Sequence, residues 1–216
     1  MTVDRVLPSP EAAELVQAVR HIARRELTPR AANEEAAARF PRDLFDMLGA
    51  AGVLGLPYPE RFGGAGQPYE VYLQALEEIA TAWFSVGLGV SVHVMSLSPL
   101  IAFGTAEQQE ALLPPLIAGG QLGAYALSEP QAGSDIAGMK TRAKITDDGY
   151  ALSGSKAWIT HGSVADFYTT FARTGQDTHG GISCSFDAST HHKGKPHRRL
   201  LVSLRNPLQS RNRPKV

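Results

Sequence analysis

Two short runs hold residue types that chemistry can use. The first, Tyr125-Ala126-Leu127-Ser128-Glu129-Pro130-Gln131-Ala132-Gly133-Ser134-Asp135, reads as the exit of a strand. Pro130 and Gly133 force a turn, and the Ser128 and Ser134 hydroxyls with the backbone N–H groups around Gly133 offer converging donors, a layout suited to an anion or a polar heterocycle. The same composition also suits a plain turn in which Ser134 and Asp135 cap neighbouring amides. The second run is Gly154-Ser155-Lys156-Ala157-Trp158-Ile159-Thr160-His161-Gly162. Read as a strand, it puts the flat face of Trp158 and the Thr160 hydroxyl on one side, where they could meet a planar ring. A core tryptophan beside a β-branched residue is the alternative.

The elements that must position these runs follow from periodicity. Leu15, Val16, Val19, Ile22, Ala23 and Leu27 recur at helical spacing behind a Ser9 cap and Pro10 in the first turn, with Pro29 placed to stop or kink that helix. A short helix fits 41–52, and helical spacing resumes over Tyr69 to Ala82 and Val86 to Phe103. Thr105-x-x-Gln108 is a capping-box entry to another helix, which Gly119-Gly120 ends. From Leu122 the pattern changes. Lys140 to Thr146, Asp147-Asp148-Gly149 and Tyr150 onward predict a β-hairpin, and strands are expected at Trp158–Thr160 and Phe167–Ala172. The fold class is therefore α+β: an all-α domain over 1–120, then a partial antiparallel β domain over 121–184.

Residues 185–216 differ in kind. They hold eight Lys or Arg and one acid, Asp187, whereas residues 1–184 hold 13 basic and 20 acidic residues. This basic tail has little to bury and is expected to be disordered. It reads as an out-of-frame ending; the alternative, a tail for nucleic acid or a membrane surface, lacks interleaved aromatics. His191-His192 lack partner ligands at metal spacing, so no metal site is expected.

A single cysteine, Cys184, excludes an internal disulfide, and no Cys/His cluster has zinc spacing. The start lacks the charged and apolar regions of a signal peptide, and the stretch from Trp83 to Phe103 is broken by serines, His93 and Pro99, which suits a buried helix better than a bilayer span. A cytoplasmic protein is expected, without a membrane span or a nucleic-acid partner.

Taken together, LSEPQAGSD, KAWITHG about two dozen residues later, and GLPYPERFGGAG in the helical region resemble the acyl-CoA dehydrogenases, over about residues 5–184. The resemblance implies a helical N-terminal domain, a middle β domain and a C-terminal helical domain that together hold FAD and an acyl-CoA thioester. It implies that Tyr125, Ala126, Leu127, Ser128, Gly133, Ser134, Trp158, Ile159 and Thr160 contact the cofactor, and that Ser134 also lies near the CoA arm. Members often carry Asn where this chain has His161.

The implied reaction is α,β-dehydrogenation to a trans-2-enoyl thioester, as in fatty acid β-oxidation and lipid metabolism, with electrons passed to an electron-transfer flavoprotein. A homo-oligomer is implied. The family's base is a glutamate of the C-terminal domain, so no catalytic residue is assigned here, and neither Glu60 nor Glu129 inherits the role. The chain is expected to be truncated and inactive alone. An acyl-CoA oxidase or flavin monooxygenase of the same superfamily, or a non-catalytic binding subunit, are the other readings.

Overall fold

A computed structural model describes residues 6–147, 149–177, 180–188 and 200–202. They fall into two units, one running to Val94 and including Pro114–Gly120, the other made of Met95–Leu113 and the residues from Gln121 onward.

The first unit is helical. Ser9 caps α1 (Pro10–Ile22) by accepting from the Ala12 amide, with Pro10 in the first turn where no N–H is needed. Pro29 does not end the helical path. A π-helical turn, Ala23–Leu27, joins α1 to α2 (Thr28–Ala36), so the proline stands in the first turn of a new helix, where its missing donor costs nothing. Leu44, Phe45 and Leu48 bury one face of α3 (Arg42–Ala50). Arg20 of α1 makes a two-pronged ion pair with the buried Glu78 of α4 (Tyr69–Ala82), at 2.8 Å on each prong. Between α3 and α4 the proline- and glycine-rich run folds on itself: Ala65, Gln67 and Gly66 amides donate to Gly55, Leu56 and Tyr58 carbonyls.

Helix α5 (Phe84–Phe103) is long and apolar enough to cross a membrane by composition, but 61% of that stretch is buried within the protein, as in a core helix. In α6 (Ala106–Ile117) the capping box forms as its spacing predicts: Thr105 N donates to Gln108 Oε1 and Gln108 N to Thr105 Oγ1.

The second unit contains a six-stranded sheet: β1 (Gly123–Ala126), β2 (Arg142–Thr146), β3 (Gly149–Ser153), β4 (Phe167–Arg173), β5 (Ile182–Ala188) and β6 (Leu200–Val202). The expected β2–β3 hairpin is present, with Thr146 opposite Gly149. The sheet is mixed, however, not purely antiparallel. Strand β1 runs parallel to β4, Gly123 to Ala126 facing Phe167 to Thr170, and β2 meets the same strand in parallel at Arg142–Arg173. The residues between β1 and β2, 127–141, thus leave the sheet near the middle of β4 and rejoin it three residues further along. On the other side of β4 lies β5, antiparallel.

Strand β5 carries Cys184 and runs on to Ala188, and Leu200–Val202 pair back onto it. The sheet therefore passes the Cys184 boundary that the charge reversal suggests, through Phe186 and the tail's one apolar stretch, Leu200–Val202. The rest of the basic tail, with its expected disorder and its histidine pair, lies outside the described residues.

Candidate functional site

The excursion between β1 and β2 carries the first chemical run. It is tightened by a two-way bridge, Glu129 N to Ala132 O and Ala132 N to Glu129 O, which makes the turn that Pro130 and Gly133 predict. Asp135 caps the Ala137 amide at 3.1 Å, so this half of the capping alternative holds. Ser134 and Gly133 are exposed, and Leu127 and Ser128 are half-buried.

The second run is not a strand. Trp158 lies in a bend and Thr160 begins a turn, and Trp158 has φ +61°, a left-handed conformation that bulky residues adopt only where the surroundings impose it. Its indole is 91% exposed. The strand expectation fails because β-branched and aromatic composition reports only a preference for pleated surface, and here backbone geometry set by neighbouring segments decides. Since strand alternation does not apply, Trp158 and Thr160 are not placed on a common face by it. Thr160 is half-buried, and His161 also has a positive φ, +65°, with its Nδ1 2.9 Å from Gly123 O at the start of β1.

What brings the two runs together is a pair of residues that sequence reasoning did not single out as a unit. Lys156 Nζ donates to Leu127 O and to Glu129 Oε1, both at 2.9 Å, and the next amide, Ala157 N, donates to Ser128 O at 3.0 Å. Glu129 in turn accepts from Lys140 N (2.7 Å), Thr141 N (3.0 Å) and Gln131 Nε2 (2.6 Å). Gly154 permits the approach, since a Cβ there would lie 2.6 Å from Thr141 Cα. Further on, Arg173 donates to the Met139, Ala137 and Asp177 carbonyls and fastens the end of the excursion to β4.

Burial opposes the Glu129 charge, but the Thr141 hydroxyl, the Lys140 amide, the Lys156 ammonium and the Thr141 amide outweigh it and hold the carboxyl down at about 2. The Thr141 hydroxyl acts there as a nearby dipole, its geometry falling short of a hydrogen bond. Burial pushes the Lys156 ammonium below the usual lysine range, and Glu129 partly offsets this. A carboxylate so held stays ionised near neutral pH. Glu60 is exposed, in the helical unit.

Beside the tied arms is an open depression of about 490 Å³, with Ala126, Lys156, Ile159, Tyr168, Thr170 and Asp187 among its walls. The depression thus combines an apolar wall at Ala126 and Ile159 with the Tyr168 and Thr170 hydroxyls and the Lys156 ammonium, and the neighbouring residue Trp158 presents its ring to solvent. That mixture suits a planar polar ring system better than a metal ion; among the described residues no group of three His, Cys, Asp or Glu could hold one.

An all-helical module followed by a mixed β module with this turn defines a two-module class, and comparison with known proteins identifies it. Residues 9–120 match the model of the acyl-CoA dehydrogenase N-terminal domain, and residues 124–202 that of the middle domain. An acyl-CoA dehydrogenase of Bacillus subtilis is 41% identical over 160 residues, covering 74% of this chain and 42% of that protein. Butyryl-CoA dehydrogenase from Megasphaera elsdenii superposes with a TM-score of 0.80 at 31% identity, over 92% of this chain and 56% of that one. Glutaryl-CoA dehydrogenase from Mycobacterium smegmatis gives 0.77 at 35% identity, over 86% and 47%. The chain belongs to the acyl-CoA dehydrogenase family, a family of oxidoreductases. It spans about two fifths of the length of the curated relatives it matches.

Proposed function

We propose that this chain carries the flavin-facing part of an FAD-dependent acyl-CoA dehydrogenase site. The observation that supports this most directly is Trp158, an apolar plane held almost wholly in solvent by a strained backbone and tied by its neighbours to the Ser128 arm. Strain of that kind is retained where a ligand gives it a use. In this reading the backbone of Tyr125, Ala126 and Leu127 and the Ser128 hydroxyl hold the ring. Trp158 covers one face and excludes water from it, with Ile159 beside it and Thr160 hydrogen-bonding near N5. Gly133 and Ser134 serve the pyrophosphate, and Ser134 also the CoA arm of an acyl-CoA substrate.

When bound, FAD supplies the two-electron oxidation by accepting a hydride from the carbon β to the thioester. The chain's own residues bind and orient. The α proton goes to a carboxylate of the family's C-terminal domain and not to Glu129, whose lone pairs are taken. An electron-transfer flavoprotein is the acceptor in this reading, the assembly is a homo-oligomer, and the setting is the reducing cytoplasm.

Titration of the purified chain with FAD, followed by flavin fluorescence and the visible spectrum, tests the reading. Saturable binding with a perturbed flavin band is expected, without turnover when short, medium and long acyl-CoA substrates and an artificial acceptor are added. A folded chain that leaves the flavin spectrum unchanged would overturn it.

A further inference from the structure

We infer that Glu129 and Lys156 are positioning residues for the flavin site: they join the Leu127–Ser128 arm and the Trp158–Thr160 arm into one wall that is formed before any cofactor arrives. The inference rests on the flavin reading above and adds to it the device that sets the geometry.

The coordination of Glu129 is complete. Oε1 takes Thr141 N and Lys156 Nζ, and Oε2 takes Lys140 N and Gln131 Nε2, so both oxygens accept two hydrogen bonds each and the carboxylate has no capacity left for a ligand. Its donors come from three separate segments. The Glu129 side chain is 1% exposed and that of Lys156 12%, so the pair works without water as a substitute partner. Lys156 adds the second tie by donating to Leu127 O, and Ala157 N to Ser128 O follows in register. Two consecutive residues of one arm are thereby bonded to two consecutive residues of the other. Trp158 is the next residue, and its indole direction follows from a backbone that these bonds have fixed. Where a tie uses a residue expected to touch the ring through its side chain, Ser128, it uses the backbone carbonyl and not the hydroxyl.

A pair that merely props up the fold makes a different prediction, and hydrogen exchange separates the two. In the flavin-free chain, K156M and E129Q should speed exchange at the Lys140, Thr141 and Ala157 amides by about 10- to 100-fold, the range for losing a charged hydrogen bond. Thr169 and Phe171 amides of β4 should keep their protection. K156R should recover part of the loss, because it restores a cation at the same place.

With flavin present, K156M should weaken FAD binding by tenfold or more and shift the visible band toward that of free flavin. K156M leaves Glu129 three of its donors, so it carries the test if E129Q does not fold. Unchanged exchange at the three amides overturns the inference. So does an equal loss of protection throughout the sheet, which marks a general prop. Unchanged FAD affinity in a variant whose three amides have been freed overturns it as well. If the unmodified chain binds no FAD, the flavin reading fails by itself, while the exchange pattern still reports whether the two arms are tied.

Discussion

Lys156 Nζ lies 2.9 Å from Glu129 Oε1, a contact across 27 residues of sequence that closes two loops against each other. Its acid response has a definite sign. The Glu129 carboxyl sits at about 2 in the fold against 4.5 when unperturbed. The stability it contributes is therefore fully present above about pH 4.5 and is lost as pH falls through about 2. Thermal melts between pH 2 and 6 should show the native chain losing stability faster than E129Q over that window. The difference isolates Glu129, since Glu35 and Asp43, also lowered by hydrogen bonds, remain in both. At neutral pH, E129Q should cost roughly 2–4 kcal/mol.

Trp158 separates stability from binding. At 91% exposure its removal leaves no cavity, and glycine accepts the positive φ that tryptophan does not. W158G should match or exceed native stability, within about 1 kcal/mol. Its FAD affinity should fall about 3- to 10-fold, the equivalent of a lost aromatic contact. Paired melting and fluorescence titrations read both, and a large loss of stability would contradict the first part.

At His161 the two demands are a left-handed backbone and a side-chain bond to Gly123 O. Since the carbonyl accepts, Nδ1 must carry the proton. Asparagine meets both demands, as a short amide donor that tolerates this conformation. H161N should stay within about 1 kcal/mol of the native chain, whereas H161A should cost about 1–3 kcal/mol by removing the side-chain hydrogen bond to Gly123 O. Urea titrations would measure both.

Cys184 should be inert in the fold. It is fully buried in β5, and burial, with Asp187 adding to it, pushes the thiol well above its usual range. A thiol-specific chromogenic reagent should modify it only in denaturant, one thiol per chain. Rapid modification under native conditions would mean that the Phe171–Cys184 pairing opens readily.

Local signals were read well from the residues alone. Ser9 with Pro10, the Thr105/Gln108 box and the turn before Gly149 each act within a few positions, and each element forms where its signal stands. Pro29 marks the break between two helices, but the π turn that precedes it is announced by no pattern in the residues. Trp158–Ile159–Thr160 misled because the ties that bend it come from Leu127, Ser128 and Glu129, far off in the chain. The motifs themselves were visible. The ion pair that joins them was not, since a glutamate in a proline-containing turn and a lysine after a serine look like solvated residues until the topology is known.

The parallel pairing of β1 with β4 has a consequence for the order in which the protein is built. Gly123 must wait for Phe167, and the excursion must wait for Arg173, so the loop-closure entropy of more than forty residues stands against early pairing. The β2–β3 hairpin, by contrast, closes on its own within microseconds. During synthesis the hairpin can therefore form before the strand that anchors it, and β1 lacks its partner until Thr170 has left the ribosome. Premature termination upstream of that point yields a helical chain with an uncovered strand, prone to association.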